Sequence, residues 1–281
     1  MTRLYITIES LALLTRPLNN AITFIAVWVA AMLVEDFKYL DPLRISLGAF
    51  AASLIAAGGN AHNDVCDIDI DIVNSPNRPL PRGIVEPTSV VFLAIVLGLA
   101  GIVIGFYLGI VPGIITVIAA LFLFLYNQYL KMTVLWGNIT ISLLTALVFI
   151  FGSILAGNPY GGIIPAVFSL LFHFSREMVK DVLDMRGDKS RAGTTFALEY
   201  GAAAGLKVAA YSLIALIILV PLPYFAHYYK ITYFAFSFIA VEIPLFWSVV
   251  KLFSGDMRNL RSISNTLKFG MVMGLGALLM G

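Results

Sequence analysis

Nine apolar runs divide this chain, each close to the ~20 residues that a helix needs to cross a bilayer. They fall at about residues 17–33, 45–62, 88–108, 112–130, 133–156, 163–182, 202–220, 231–253 and 266–280. Such a pattern restricts the fold to an all-α membrane bundle, because only helices and closed barrels satisfy their backbone polar groups in lipid. Composition agrees: 60% of residues are hydrophobic and 12% are charged, where a soluble domain carries about 25% charge. Mean hydropathy is +0.93. The breaks between runs use turn chemistry, as in Asp41-Pro42, Pro112 and Asn158-Pro159-Tyr160-Gly161-Gly162. A short amphipathic lead over 4–14 is expected at the interface, and residues 1–281 read as one transmembrane domain. No cleavable leader is expected, since Glu9 interrupts the apolar stretch after Arg3 and no small-residue cleavage site follows.

Nine crossings place the two termini on opposite sides. Basic residues then choose the orientation, because cytoplasmic loops are enriched in Lys and Arg. Fifteen of the 18, from Arg3 to Lys268, collect on one side, and Lys38, Arg44 and Lys230 on the other. The N-terminus is therefore expected in the cytoplasm of a cell-membrane protein. The net charge of +2 and the absence of a basic run leave no case for nucleic acid. The single cysteine, Cys66, excludes an intrachain disulfide and reads as a small packing residue.

Against this apolar background the acidic residues are conspicuous. Asn63-Asp64-Val65-Cys66-Asp67-Ile68-Asp69-Ile70-Asp71 holds four of the chain's 16 carboxylates, directly after the second run. At about 100° per residue, Asn63, Asp67, Asp71 and Asp64 share one helix face, at roughly 0°, 40°, 80° and 100°. Asp69 points the other way. Asp181, Asp184 and Asp188, after the sixth run, lie at about 0°, 300° and 340°, again on one face. Carboxylates at a membrane surface are costly and mark function by default. Oxygen-only faces suit a hard ion such as Mg²⁺, which is held by a few carboxylates together with substrate phosphates. Both clusters belong to the same, cytoplasmic, side. A cation-coupled transporter would instead place such groups near the midplane on broken helices, so an enzyme working at the cytoplasmic mouth is the favoured reading.

Asn63-Asp64-x-x-Asp67-x-x-x-Asp71 and Asp181-x-x-Asp184-x-x-x-Asp188 resemble the paired motifs of the UbiA superfamily of intramembrane prenyltransferases. The resemblance extends to Arg16-Pro17-x-Asn19, Asn60, Asn77-Arg78-Pro79-Leu80-Pro81, Tyr126, Lys131, Gly137-Asn138 and Lys180-Asp181. It implies a bundle around a central cavity. Mg²⁺ would be bound by Asn63 and the six aspartates of the two motifs, with an isoprenyl diphosphate donor bridged between them. Asp64, Asp67, Asp71, Asp181, Asp184 and Asp188 are then the catalytic candidates. Arg16, Asn19, Asn60, Arg78, Tyr126, Lys131, Lys180 and Lys189 are the substrate-binding candidates, with Arg16 and Lys131 assigned to an anionic acceptor. Within the superfamily the chain is most similar to archaeal members that join geranylgeranyl diphosphate to geranylgeranylglyceryl phosphate, forming the second ether bond of archaeal lipids. An aromatic quinone precursor is the alternative acceptor. His173 is expected to bond Glu177, and Glu242 to lie outside the site.

Overall fold

A computed structural model describes residues 9–34, 39–188, 193–255 and 257–281, with residues 186 and 187 by backbone alone. Nine long helices account for most of the described chain. They are α1 (Pro17–Met32), α2 (Pro42–Cys66), α3 (Pro87–Leu108), α4 (Ile110–Gln128), α5 (Trp136–Leu155), α6 (Ile163–Asp188), α7 (Ala202–Leu219), α8 (Ile231–Phe253) and α9 (Leu260–Leu278). Proline opens α1, α2 and α3, where its missing N–H costs nothing. At α2 the Asp41 carboxylate also accepts from the N–H groups of Leu43 and Arg44, at 3.0 and 3.1 Å, satisfying two of the donors that a helix start leaves open. The α3–α4 turn needs one residue, Gly109, at φ 136°, a conformation that favours glycine.

The seven helices α2 to α8, with the turns flanking α6 and α7, are long and apolar enough to cross a membrane by length and composition. The apolar α1 has 16 residues. The 19-residue α9 carries Arg261 and Lys268 and is less apolar. Large side chains that face outward on α3 and α4, such as Phe92, Val103, Tyr107 and Ile110, are exposed, as expected of surfaces solvated by lipid tails.

Two larger cores hold the bundle, beside a smaller one of Leu14, Ala61, Leu80, Val85 and Val90. Val27 and Ala31 of α1, Ile45 and Ala49 of α2, and Phe151 and Leu155 of α5 form one. Met178 of α6, Leu206 and Leu213 of α7, Leu245 of α8 and Ile263 and Leu267 of α9 belong to the other. Tyr233, fully buried, ties α8 to the end of α7 by donating to the Val220 carbonyl at 2.7 Å. Helix α1 packs on α2 and α5, and α9 packs on α6 and α8, whereas α1 and α9 touch only lightly. The second core also takes in Ala26, Val29 and Ala30 of α1 and Ala146 and Phe149 of α5, so the two cores join through those helices.

Two departures from plain helices occur. The helical path of α2 is interrupted at Asp67 (φ −100°, ψ 9°) before a short helix, Ile68–Asn74. Inside α8, Phe238–Glu242 forms a π-turn.

Candidate functional site

The first acidic face survives the interruption at Asp67. The Asp67 N–H still donates to the Asn63 carbonyl at 2.9 Å, and the Asp71 N–H to that of Asp67 at 2.8 Å. Asn63, Asp64, Asp67 and Asp71 are therefore buried together, and Asp69 is exposed. Carboxylates about 5 Å apart repel by roughly 3 kcal/mol per pair even at an effective dielectric constant of 20, so the face needs counter-charge. Three cations supply it. Arg16 Nη2 donates to Asp64 Oδ1 at 2.5 Å and to Asn63 Oδ1 at 3.2 Å. Arg78 Nη1 donates to Asp71 Oδ2 at 2.6 Å and reaches Asp64 Oδ1 at 3.5 Å. The Lys131 ammonium donates to Asp67 Oδ2. Arg16 makes its contacts from a left-handed backbone (φ 55°, ψ 69°) just ahead of Pro17, a strained conformation of the kind that clusters at functional sites.

The second acidic face ends α6 and is drawn toward the first. Asn138, at the start of α5, donates to Asp181 Oδ2 at 2.9 Å. Asn74 of the short helix donates to the Asp184 carbonyl at 3.3 Å, so the short helix rests on the end of α6. Asp188 is buried. Burial first, and the nearby Asp184 carboxylate second, push its pKa up to about 6, with Asp67 of the other cluster adding to the shift and Lys131 and Lys180 opposing it. Burial also raises Asp71, against the opposing charge of Arg78. The two clusters thus act on each other electrostatically across one mouth.

Beneath the mouth lies a cavity of about 590 Å³. Of the residues singled out from sequence, Arg16, Asn19, Asn60, Asn63, Tyr126 and Lys180 line it. Asn60 Nδ2 also donates to the Thr15 carbonyl at 3.4 Å. Arg78 and Lys131 stand at the mouth on their aspartates and do not line the cavity. Lys189 lies outside the described residues. Deeper walls are apolar, with Phe149, Phe168, Phe172, Leu216 and Val241 among them. Exposed Leu18 of α1 and Phe269 and Val272 of α9 also belong to the wall, so the cavity reaches the outside between those lightly touching helices.

For several wall residues the sequence suggested another partner or role. His173 lines the cavity and bonds through Nδ1 to the Ser169 carbonyl at 2.9 Å, not to Glu177. The competing acceptor was one helical turn back, where i−4 spacing could have revealed it. Arg176 and Lys268 also line the cavity. Both had been read only as charges that favour the cytoplasm. At the mouth, Asn127 links α4 to α2 by donating to the Gly59 carbonyl at 3.0 Å and accepting from Asn63 Nδ2 at 3.2 Å.

Residues 22–271 match the UbiA prenyltransferase family. The chain belongs to that family. It is a membrane prenyltransferase, and its relatives narrow the comparison. It is 30% identical over 266 residues to digeranylgeranylglyceryl phosphate synthase of Methanosphaera stadtmanae, covering 95% of this chain and 96% of the relative. With the synthase of Methanothermobacter thermautotrophicus the figure is 33% over 260 residues, covering 92% and 90%. A solved structure of a digeranylgeranylglyceryl phosphate synthase superposes with a TM-score of 0.78 at 31% identity, covering 100% of this chain and 99% of that one. A UbiA homolog from Archaeoglobus fulgidus bound to GPP and Mg²⁺ shares the fold at a TM-score of 0.66 and 14% identity, covering 96% and 99%.

The donor chemistry of this UbiA prenyltransferase suits a hard divalent ion. Among the described residues, no three His, Cys, Asp or Glu side chains converge as a ready cation site. The carboxylates of the first face are turned toward Arg16, Arg78 and Lys131 instead. Even so, two acidic faces meet at one mouth, and Asp188 is raised first by its burial and then by repulsion from Asp184, with Asp67 of the other face adding to it. A cation between them relieves that repulsion, and oxygen ligands are those Mg²⁺ prefers.

Proposed function

We propose that this prenyltransferase transfers a geranylgeranyl group from geranylgeranyl diphosphate to geranylgeranylglyceryl phosphate, with Mg²⁺ as cofactor. The observation that carries the reading is the full-length match to a solved digeranylgeranylglyceryl phosphate synthase, at 31% identity and with 100% of this chain covered. The cavity supports it, because a charged mouth over an apolar, side-opening chamber suits lipids with long tails and anionic heads.

The mechanism follows from the placement of the side chains. Asn63, Asp64, Asp67 and Asp71, with Asp181, Asp184 and Asp188, would hold the metal. Bound there, Mg²⁺ supplies positive charge that offsets the charge building on the departing diphosphate. Arg78, Lys131 and Lys180 add fixed donors at the same mouth, already oriented before the bond breaks. The acceptor hydroxyl oxygen attacks the allylic C1, so a C–O ether bond forms as the bond from C1 to the diphosphate oxygen breaks. The hydroxyl proton leaves to the departing diphosphate or to a nearby carboxylate. The apolar chamber keeps water from the allylic cation character that develops at C1. Tyr126, buried in the wall, offers a ring face that attracts such charge.

An acceptor panel with purified protein tests the proposal. With Mg²⁺ and geranylgeranyl diphosphate, the prenylglyceryl phosphate should be consumed with stoichiometric release of diphosphate, and EDTA should stop the reaction. Efficient prenylation of 4-hydroxybenzoate or a dihydroxynaphthoate, with none of the lipid phosphate, would overturn the acceptor and leave the family standing.

A further inference from the structure

The cavity carries a second set of charges apart from the two acidic faces. Arg16 of the α1 entrance, Arg176 and Lys180 of α6, and Lys268 of α9 all line it. They are near enough to act on one another: Lys268 feels Arg176, Arg16 and Lys180, and Lys180 feels Arg16 and Arg176. Their counter-charges are few. Arg16 is bonded to Asp64. Arg176 and Lys180 share the one carboxylate of Glu177, at 2.9 and 3.8 Å. Lys268 has no hydrogen-bond or ion-pair partner among the described residues, although it is exposed in the wall. Arg176 Nε is buried with no acceptor. Only two carboxylates, Asp64 and Glu177, stand within ion-pair distance of these four cations, and a guanidinium donor is left orphaned, while Asp184 acts on Lys180 from farther off. Bringing cations together at the head of an apolar chamber is unfavourable unless an anion joins them.

We propose that Arg176 and Lys268, with Lys180 and Arg16 beside them, form a dedicated site for the phosphate monoester of the lipid acceptor. This rests on the lipid-acceptor reading above and replaces Lys131 as the partner of Arg16, since Lys131 is engaged by Asp67. A phosphate monoester carries about −1.5 to −2 charges near neutral pH, which suits the two side chains left with unused donors, Arg176 and Lys268. An Arg offers fork-shaped donors to its oxygens, and a Lys offers a point charge. The position also fits. Lys268 sits beside Phe269 and Val272 on the α9 side of the lateral opening, so a tail entering from lipid brings its headgroup past Lys268. The diphosphate of the donor is left to the acidic faces. Lys180 stands on the same helix as both sets, between Arg176 and Asp181, and is shared. Apart from Lys180, the two anions at one mouth then draw on different donors.

The test uses the full chain in detergent and separates binding from turnover. Metal-free protein in EDTA is titrated with radiolabelled geranylgeranylglyceryl phosphate, and the same lipid is then supplied as acceptor with Mg²⁺ and donor. Wild-type protein should bind the lipid without metal, and Lys268→Gln and Arg176→Gln should each weaken that binding about tenfold or more. Lys268→Arg should restore it. In turnover the acceptor KM should rise by a similar factor while the donor KM stays within about threefold. The dephosphorylated lipid should react equally poorly with wild-type protein and with both Gln variants. Inorganic phosphate equimolar with the lipid should fail to displace it. Absence of metal-free binding, equal binding by wild-type protein and both Gln variants, or displacement by equimolar phosphate would each overturn the site. Binding as expected in a protein that turns over only aromatic acceptors would sink the proposed reaction and leave the lipid-phosphate site intact.

Discussion

Asp67 and Asp69 are two residues apart and face opposite surroundings. Asp67 is buried against Lys131, and Asp69 is exposed. The difference turns into a prediction about rate. Asp67→Asn removes an anionic ligand from the mouth and should lower kcat/KM about a thousandfold, equivalent to ~4 kcal/mol of transition-state stabilisation. Asp69→Asn should keep activity within about threefold of wild type, because its carboxylate never reaches the substrate side. Steady-state rates of the two variants, with melting temperatures as a check on folding, decide it, and equal loss in both would refute the face assignment. The acidic faces were legible in the sequence because 3.6-residue periodicity fixes which side chains share a side. Neither the interruption at Asp67 nor the left-handed Arg16 was legible. Both residues are paired with partners distant in sequence, Lys131 for Asp67 and Asp64 for Arg16. Cavity cations such as Lys268 were hidden for the same reason. A lysine near a helix start reads as a cytoplasmic anchor until the neighbouring helices show what it faces.

Helix positions were largely written in the apolar runs, while the closeness of their crossings depended on particular small residues. Gly152 of α5 lies against α1, and a Cβ there would stand 2.4 Å from the Val27 carbonyl oxygen. That atom is backbone, so α1 and α5 would have to move apart. Gly98 of α3 has open space where its Cβ would be. Gly152→Val should therefore destabilise the protein by about 3 kcal/mol or more through overpacking. Gly98→Ala should be neutral or stabilising by up to ~1 kcal/mol, since alanine is the better helix former. Thermal unfolding of both variants in the same detergent checks the contrast, and equal stabilities would remove the close α1–α5 crossing. The π-turn Phe238–Glu242 had a signal that periodicity could not carry. Pro244 has no N–H to give the carbonyl of residue 240, and a wider turn just before the proline absorbs the lost bond.

At the scale of the whole molecule, the charges and the packing assign the same two ends. Arg16, Arg78, Lys131 and the Asn138–Asp181 bond gather at one end of the bundle. At the other, Arg44 donates to the Leu155 carbonyl at 3.2 Å, and Lys230 and Thr232 donate to the carbonyls of Gly281 and Met280 at 3.3 and 2.7 Å. Helix α1 is short but runs between these ends. Arg16 at its start meets Asp64, and Val34 beyond its finish lies near the space over Gly161. Helix α9 likewise begins beside the mouth and finishes against the start of α8. We therefore expect nine crossings, with α1 and α9 included despite the length of one and the charges of the other. The polar half of α9 is then tolerated because Lys268 faces the cavity instead of lipid. The sequence assigns fifteen basic residues to the side of the mouth and three to the other, so the mouth is expected to face the cytoplasm. Substituting Cys66→Ala and adding Glu9→Cys or Gly281→Cys gives a direct readout in intact cells. A membrane-impermeant maleimide should label position 281 from outside and reach position 9 only after permeabilisation. Labelling of both positions from the same side would take one helix out of the membrane. Labelling of position 9 alone would invert the protein and put the acidic mouth, with its diphosphate chemistry, on the wrong face.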